Sequence, residues 1–118
     1  MLLQTPAALR VGRSLFATGE TLHAPHLIDL EVAQVLRRYV RSGAISAQRG
    51  AEALTDLADF PLTRYPHLVL LGRIWEMRHS LTAYDAAYLA LAEALDAPLV
   101  TRDRALSRTG SRARVEVV

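Results

Sequence analysis

The chain of 118 residues contains no cysteine, so a disulfide framework, a thiolate zinc site and a thiol nucleophile are all excluded. Lysine is missing too: every one of the 14 basic residues is an arginine. A GC-rich coding sequence accounts for that bias, but it has a physical consequence. The guanidinium is a planar fork that meets phosphate through two hydrogen bonds, so basic surface on this chain is suited to gripping phosphate. The 12 acidic residues leave a formal net charge of only +2, and the charge count alone makes no case for nucleic acid. No apolar run approaches the roughly 18 residues of a membrane span. There is no glycine-rich phosphate loop, no Gly-x-Ser-x-Gly elbow, no internal repeat and no low-complexity tract.

What remains is the composition of a globular protein, 51% hydrophobic and 22% charged. A single domain over residues 1–118 can bury a core without covalent staples. The lack of cysteine points to the cytoplasm. Arg10 and Arg13 before the first acidic residue, Glu20, superficially resemble a transit peptide. Thr5-Pro6, however, reads as an N-cap followed by proline at the first helical position.

Proline, glycine and capping residues divide the chain into short elements. A first helix is expected from Pro6 to Thr18, ending at Gly19, and a strand over Thr21–Ala24 closed by Pro25. Helices follow over His26–Ser42 and from Ser46 to Asp59, then a strand over Pro61–Tyr65 and a helix from Pro66 to His79. Thr82 caps a helix that runs to Leu95. Pro98–Thr101 is a strand, Arg104–Ser107 a helical turn and Ala113–Val117 a last strand. Short apolar strands alternating with helices predict an α/β fold with a parallel sheet covered on both faces. The helix after Thr82 is alanine, leucine and tyrosine all round, apart from Asp85 and Glu93, which predicts a buried helix close against the sheet.

In such a sheet, helix N-termini and strand C-termini share one edge, and ligands bind there. Asp85 in the first turn of the buried helix, Asp103 just past the strand ending at Thr101, and Glu31 in the second turn of its helix all belong at that edge. Crowded carboxylates raise one another's pKa unless a cation neutralises them, and oxygen-only donors select Mg²⁺ or Mn²⁺. The chemistry implied is metal-assisted phosphodiester hydrolysis.

Each carboxylate also has a purely structural explanation. Asp85 stands at the third position of a capping box opened by Thr82, and Asp103 suits the N-terminus of the turn after it. On the helical wheel Glu31 lies at the margin of the arc holding Ile28, Val32, Val35, Leu36, Tyr39 and Val40, whereas Asp29 falls inside it. Periodicity leaves the choice between them open.

Three segments carry a family resemblance: His23-Ala24-Pro25-His26-Leu27-Ile28-Asp29-Leu30-Glu31-Val32, Leu81-Thr82-Ala83-Tyr84-Asp85-Ala86-Ala87-Tyr88 and Leu99-Val100-Thr101-Arg102-Asp103. In order, spacing and flanking residues they resemble the successive acidic motifs of VapC-type PIN domains, the ribonuclease toxins of bacterial type II toxin–antitoxin pairs. The resemblance covers essentially the whole chain. It implies a doubly wound α/β/α sandwich and a metal-dependent endoribonuclease. Glu31, Asp85 and Asp103 match three of the family's four acidic positions, which favours Glu31 over Asp29. They become the implied catalytic and Mg²⁺- or Mn²⁺-binding set, with Thr82 and Thr101 as supporting residues. An RNA substrate, a cognate antitoxin that blocks the site and frequently a homodimer are implied as well.

One departure stands out. The family's first acidic residue is an aspartate ending a central N-terminal strand, and Met1-Leu2-Leu3-Gln4-Thr5-Pro6 resembles the segment just after that strand. The expectation is therefore a sheet without its first central strand, through a misassigned start codon or a degraded gene. A chain so reduced has a second reading: an inactive remnant that binds RNA or antitoxin without cleavage.

Arg102, Arg104, Arg108, Arg112 and Arg114 cluster near the expected site, either as solvated surface or, with Arg102, Arg104 and Arg112 foremost, as a track for the RNA backbone. His23, His26 and Asp29 have a zinc-like spacing, but Pro25 divides them between a strand and a helix. Trp75 with Met77 reads as core or dimer packing rather than a base-stacking platform. A flavodoxin-like phosphotransfer domain, which also sets aspartates at strand ends, is a more distant alternative.

Overall fold

The computed structural model describes residues 2–3, 21–101, 103–108 and 111–118. Five short strands, β1 (Leu2–Leu3), β2 (Leu22–Pro25), β3 (Leu62–Tyr65), β4 (Leu99–Thr101) and β5 (Val115–Val117), make one sheet in the order β3-β2-β1-β4-β5. Every neighbouring pair is parallel. Among the described residues the connections carry helices α1 (Leu27–Arg41), α2 (Ala47–Asp59), α3 (Leu71–Glu76) and α4 (Ala83–Leu95).

The chain steps outward from β1 to β2 to β3, then crosses back to lay β4 and β5 on the other side of β1. That is the order of the expected doubly wound sheet. The direction reverses beside β1, and a crevice opens outside the strands' carboxyl ends at such a reversal.

The expectation of a missing central strand is corrected here. Leu2 pairs with His23 of β2 and with Leu99 of β4, and Leu3 pairs with Val100. Two parallel neighbours facing an empty central position would leave backbone groups unpaired, and this two-residue strand satisfies part of that need. The helix expected over Pro6–Thr18 lies outside the described residues.

Helix α4 carries the core. Seven consecutive residues, Ala86–Ala92, are buried, and the helix packs across β2, β1 and β4. Its alanines bring the backbone close to the sheet, as its apolar circumference predicts. Thr82 caps its N-terminus through Oγ1, which accepts from the Asp85 backbone N–H, and Asp96 closes it in the left-handed region (φ 48°). After α1, Gly43 takes φ +79° to turn the chain, and Ser46 then caps α2 by accepting from the Arg49 N–H.

Two expected elements are shorter than the sequence indicates. The helix expected over Pro66–His79 divides into a 3₁₀ turn, Leu68–Leu70, and the six-residue α3, followed by turns. His67 makes no side-chain cap, so the segment opens on a three-residue hydrogen-bonding repeat, Leu70 N–H to His67 O. The last strand begins at Val115 rather than Ala113, because Ser111, Arg112 and Ala113 are tied into hydrogen bonds around Glu93 and Ser111 Oγ.

Candidate active site

β2 ends at the buried Pro25, and the His26 N–H donates to Tyr65 O at 2.9 Å, which sets the start of α1 against the end of β3. α1 then places its two acidic residues in different surroundings. Asp29 turns to β3, where Arg64 Nε donates to Oδ1 at 2.9 Å and to Oδ2 at 2.8 Å. Arg64 is anchored in turn by Nη2 donating to Leu57 O at 2.9 Å. Glu31 turns to α4, where the Tyr88 hydroxyl donates to its Oε1 at 2.5 Å. The wheel could not separate the two residues; their partners do.

Tyr88 is fully buried and lies three residues after Asp85, so both occupy one face of α4. Burial raises the Glu31 carboxyl above its ordinary value, the Tyr88 hydrogen bond opposes that, and the negative charge of Asp85 raises it further. Burial also raises the Tyr88 phenol, reinforced by its bond to Glu31 and by the charges of Glu31, Asp85 and Asp29. Glu31 and Asp85 thus feel each other across the junction of α1 and α4.

Asp103 behaves differently. It lies just beyond β4, at the carboxyl edge of the sheet, and is exposed. The buried Thr101 accepts the Asp103 N–H on Oγ1 at 3.0 Å, and Asp103 Oδ1 accepts the Ala105 N–H at 2.9 Å. Its carboxylate therefore caps the 3₁₀ helix Arg104–Arg108. The expected three-carboxylate cluster needs correcting: among the described residues no group of three acidic or histidine side chains is positioned to hold a metal ion. The charge of Asp85 reaches Glu31, and Asp103 serves the turn that follows it.

Arg112, one of the three foremost arginines of the expected track, lies away from Asp85. The bases before β5 lie at the amino edge of the parallel sheet, opposite the carboxyl edge. There the Arg112 backbone N–H donates to Glu93 Oε1 at 3.1 Å, with its guanidinium 3.7 Å from Oε2. Glu93 is eight residues along α4 from Asp85, a rise of about 12 Å. Arg114 Nη2 donates to Asp96 O near the same end of α4. Arg104 is the exposed arginine that stays beside Asp103; Arg102 lies outside the described residues.

Both ring nitrogens of His23 are engaged, Nδ1 with the Tyr65 hydroxyl at 2.7 Å and Nε2 with Thr21 Oγ1 at 3.0 Å. Of the two packing roles expected for Trp75, core or dimer, it does not take the core one. It is 67% exposed, with the Arg78 guanidinium 4.7 Å over its ring, while Met77 is buried. The sequence reading missed Tyr88, which had passed as one more apolar residue of α4. Its signal was available: a buried tyrosine hydroxyl needs a polar partner.

The PIN domain family model matches residues 6–111. VapC ribonuclease Mb0985 of Mycobacterium bovis is 50% identical over 98 residues, covering 83% of this chain and 76% of its own. Ribonuclease VapC12 of Mycobacterium tuberculosis is 37% identical over 119 residues, covering 100% of this chain and 91% of its own. The crystal structure of PAE2754 from Pyrobaculum aerophilum superposes with a TM-score of 0.67 at 27% identity, over 97% of this chain and 87% of that one. With its doubly wound sheet, its acidic pair on α1 and α4 and these relatives, the chain belongs to the PIN domain family, in its VapC-type branch.

Proposed function

We propose that this chain is a metal-dependent endoribonuclease, the toxic component of a type II toxin–antitoxin pair, acting in the cytoplasm. The observation that carries the reading is the hydrogen bond from Tyr88 of α4 to Glu31 of α1, with Asp85 three residues before Tyr88 on the same helix face, on a sheet whose strand order reverses beside β1. Relatives that share up to 50% of their aligned residues with the chain bear the name ribonuclease, which supports RNA as the substrate.

The donor set suits a hard divalent cation. Both groups are carboxylates, and burial, with the charge of Asp85 added to it, pushes Glu31 toward protonation, which a shared Mg²⁺ or Mn²⁺ would oppose. Such an ion supplies an activated water and offsets charge on the phosphate. Glu31 and Asp85 would hold it, with Thr82 fixing the first turn that carries Asp85. Asp103, set on Thr101 at the carboxyl edge of the sheet, would add a carboxylate from the β4 side, and Arg104 beside it would grip the RNA backbone.

A protein partner is supported by a second surface. An apolar cavity of about 350 Å³ lies between α1, α3 and the start of α4, lined by Leu27, Leu30, Leu71, Ile74, Tyr84 and Ala87. Leu30 is 72% exposed and Tyr84 63%. An amphipathic antitoxin segment laid there would cover apolar surface and obstruct the neighbouring carboxylates at once. A homodimer is the other occupant consistent with such a surface.

One observation favours a non-catalytic reading, in which the chain binds RNA or antitoxin without cleaving. The strand β1 consists of two leucines and brings no carboxylate to the sheet. The deciding experiment incubates the purified chain with RNA in Mn²⁺, in Mg²⁺ and in EDTA, beside Glu31→Gln and Asp85→Asn. Cleavage that requires metal and both carboxylates supports the nuclease. RNA binding without cleavage under every metal condition supports the remnant.

A further inference from the structure

The Tyr88 hydroxyl is the one polar atom that α4 sends from its buried centre to the acidic pair, and it lands on a single oxygen of Glu31. Asp85, three residues before Tyr88 on α4, stands on the helix face from which Tyr88 reaches Glu31. Glu31 has a flexible side chain on a different helix, and it forms its hydrogen bond across 57 positions of sequence. Its Oε2 makes no hydrogen bond among the described residues. We propose that Tyr88 is a positioning residue for the acidic pair: by occupying Oε1 it holds the Glu31 carboxylate in one orientation and reserves Oε2 for a cation shared with Asp85. The inference rests on the reading of Glu31 and Asp85 as a metal pair.

The physical reason is pre-organisation. A carboxylate left free to rotate must be ordered when the ion arrives, and that cost weakens binding. A rigid phenol, locked by packing on all sides, imposes the order in advance. Hydrogen-bond partners that orient a ligating group are typically worth about 10–100-fold in metal affinity. Phenylalanine keeps the ring and its packing and removes only the donor.

The test measures Mn²⁺ affinity by titration calorimetry on the full chain, on Tyr88→Phe and on Glu31→Gln, together with thermal melts of each. Tyr88→Phe should bind Mn²⁺ about tenfold more weakly while retaining a cooperative melt, and it should regain parental cleavage when Mn²⁺ is raised in proportion. Parental Mn²⁺ affinity in Tyr88→Phe, alongside a marked loss in Glu31→Gln, overturns the positioning role and leaves the metal pair standing. Parental affinity in Glu31→Gln overturns the metal pair itself. If Tyr88→Phe does not fold, NMR on the unaltered protein decides: the buried Tyr88 hydroxyl proton should shift on saturation with diamagnetic Mg²⁺. An unmoved resonance means that the hydroxyl does not report on the site, and the proposal fails.

Discussion

Arg73 holds Glu93 from two sides of its guanidinium, Nε to Oε2 at 2.8 Å and Nη2 to Oε1 at 3.0 Å, and so ties α3 to the far end of α4. The Ser111 hydroxyl and the Arg112 N–H add to the same carboxylate and fasten the segment that leads into β5. The Glu93 side chain is only 4% exposed, and these bonds compensate its loss of water. This contact lies away from the acidic pair and belongs to stability.

Stability should therefore depend on Glu93 in a defined pH range. The hydrogen bond and charge of Arg73, chiefly, hold its carboxyl down at about 2, against an ordinary 4.5. A depressed carboxyl contributes stability that is complete above the unfolded value and is lost as pH falls through the folded one. Glu93→Gln should cost about 1–3 kcal/mol at neutral pH, less than a wholly buried pair because Arg73 is 32% exposed. The gap between parent and variant melting temperatures should narrow from pH 4.5 toward 2. A gap constant across that range would show that the pair's charge does not matter.

Asp29 and Glu31, two positions apart, should separate cleanly on substitution. Asp29→Asn breaks the ion pair with Arg64, at a cost of about 0.2–1 kcal/mol for a pair this close to solvent. Mn²⁺ binding and cleavage should persist. Glu31→Gln should abolish both with the fold intact. The reverse pattern, with Asp29 essential and Glu31 dispensable, would overturn the assignment.

Asp85→Asn should remove RNA cleavage while the protein still melts cooperatively. The backbone N–H of residue 85 remains available to Thr82 Oγ1, so the helix start is retained. Thr82→Ala provides the contrast: about 1 kcal/mol of stability lost with the cap, and partial activity retained. Unchanged cleavage in Asp85→Asn would reduce the residue to a capping role.

Asp103→Asn distinguishes capping from chemistry at the third carboxylate. Asparagine retains an Oδ1 that accepts the Ala105 N–H, so the melting temperature should stay within a degree or two, the scale expected of a surface change within ±0.5 kcal/mol. Cleavage at a fixed, subsaturating Mn²⁺ concentration should fall at least tenfold. Equal rates in parent and variant would confine Asp103 to the turn.

Much of this molecule is legible from local chemistry. Thr82 and Ser46 cap helices, Gly43 ends one, and the alanine-rich α4 is buried, because caps, turns and periodicity are decided within a few residues of chain. The strands β2, β3 and β4 lie within one residue of their expected bounds for the same reason. Even Asp103 was readable as a turn residue, and the structure gives it that role.

Tertiary structure decided the pairings. Arg64 stands 35 positions from Asp29, Tyr88 57 from Glu31 and Arg73 20 from Glu93, and periodicity carries no information about which distant helix or strand a side chain will meet. Packing gave Asp29 and Glu31 different partners, because β3 supplies the arginine that claims Asp29 and α4 the tyrosine that meets Glu31. Parallel register sent Arg112 to the opposite edge from Asp85, although the sequence crowds it near Asp103. The residue types and their order thus determined the family and the elements, through local propensity and burial; which carboxylates share a field was decided only when α1 and α4 were packed on one sheet.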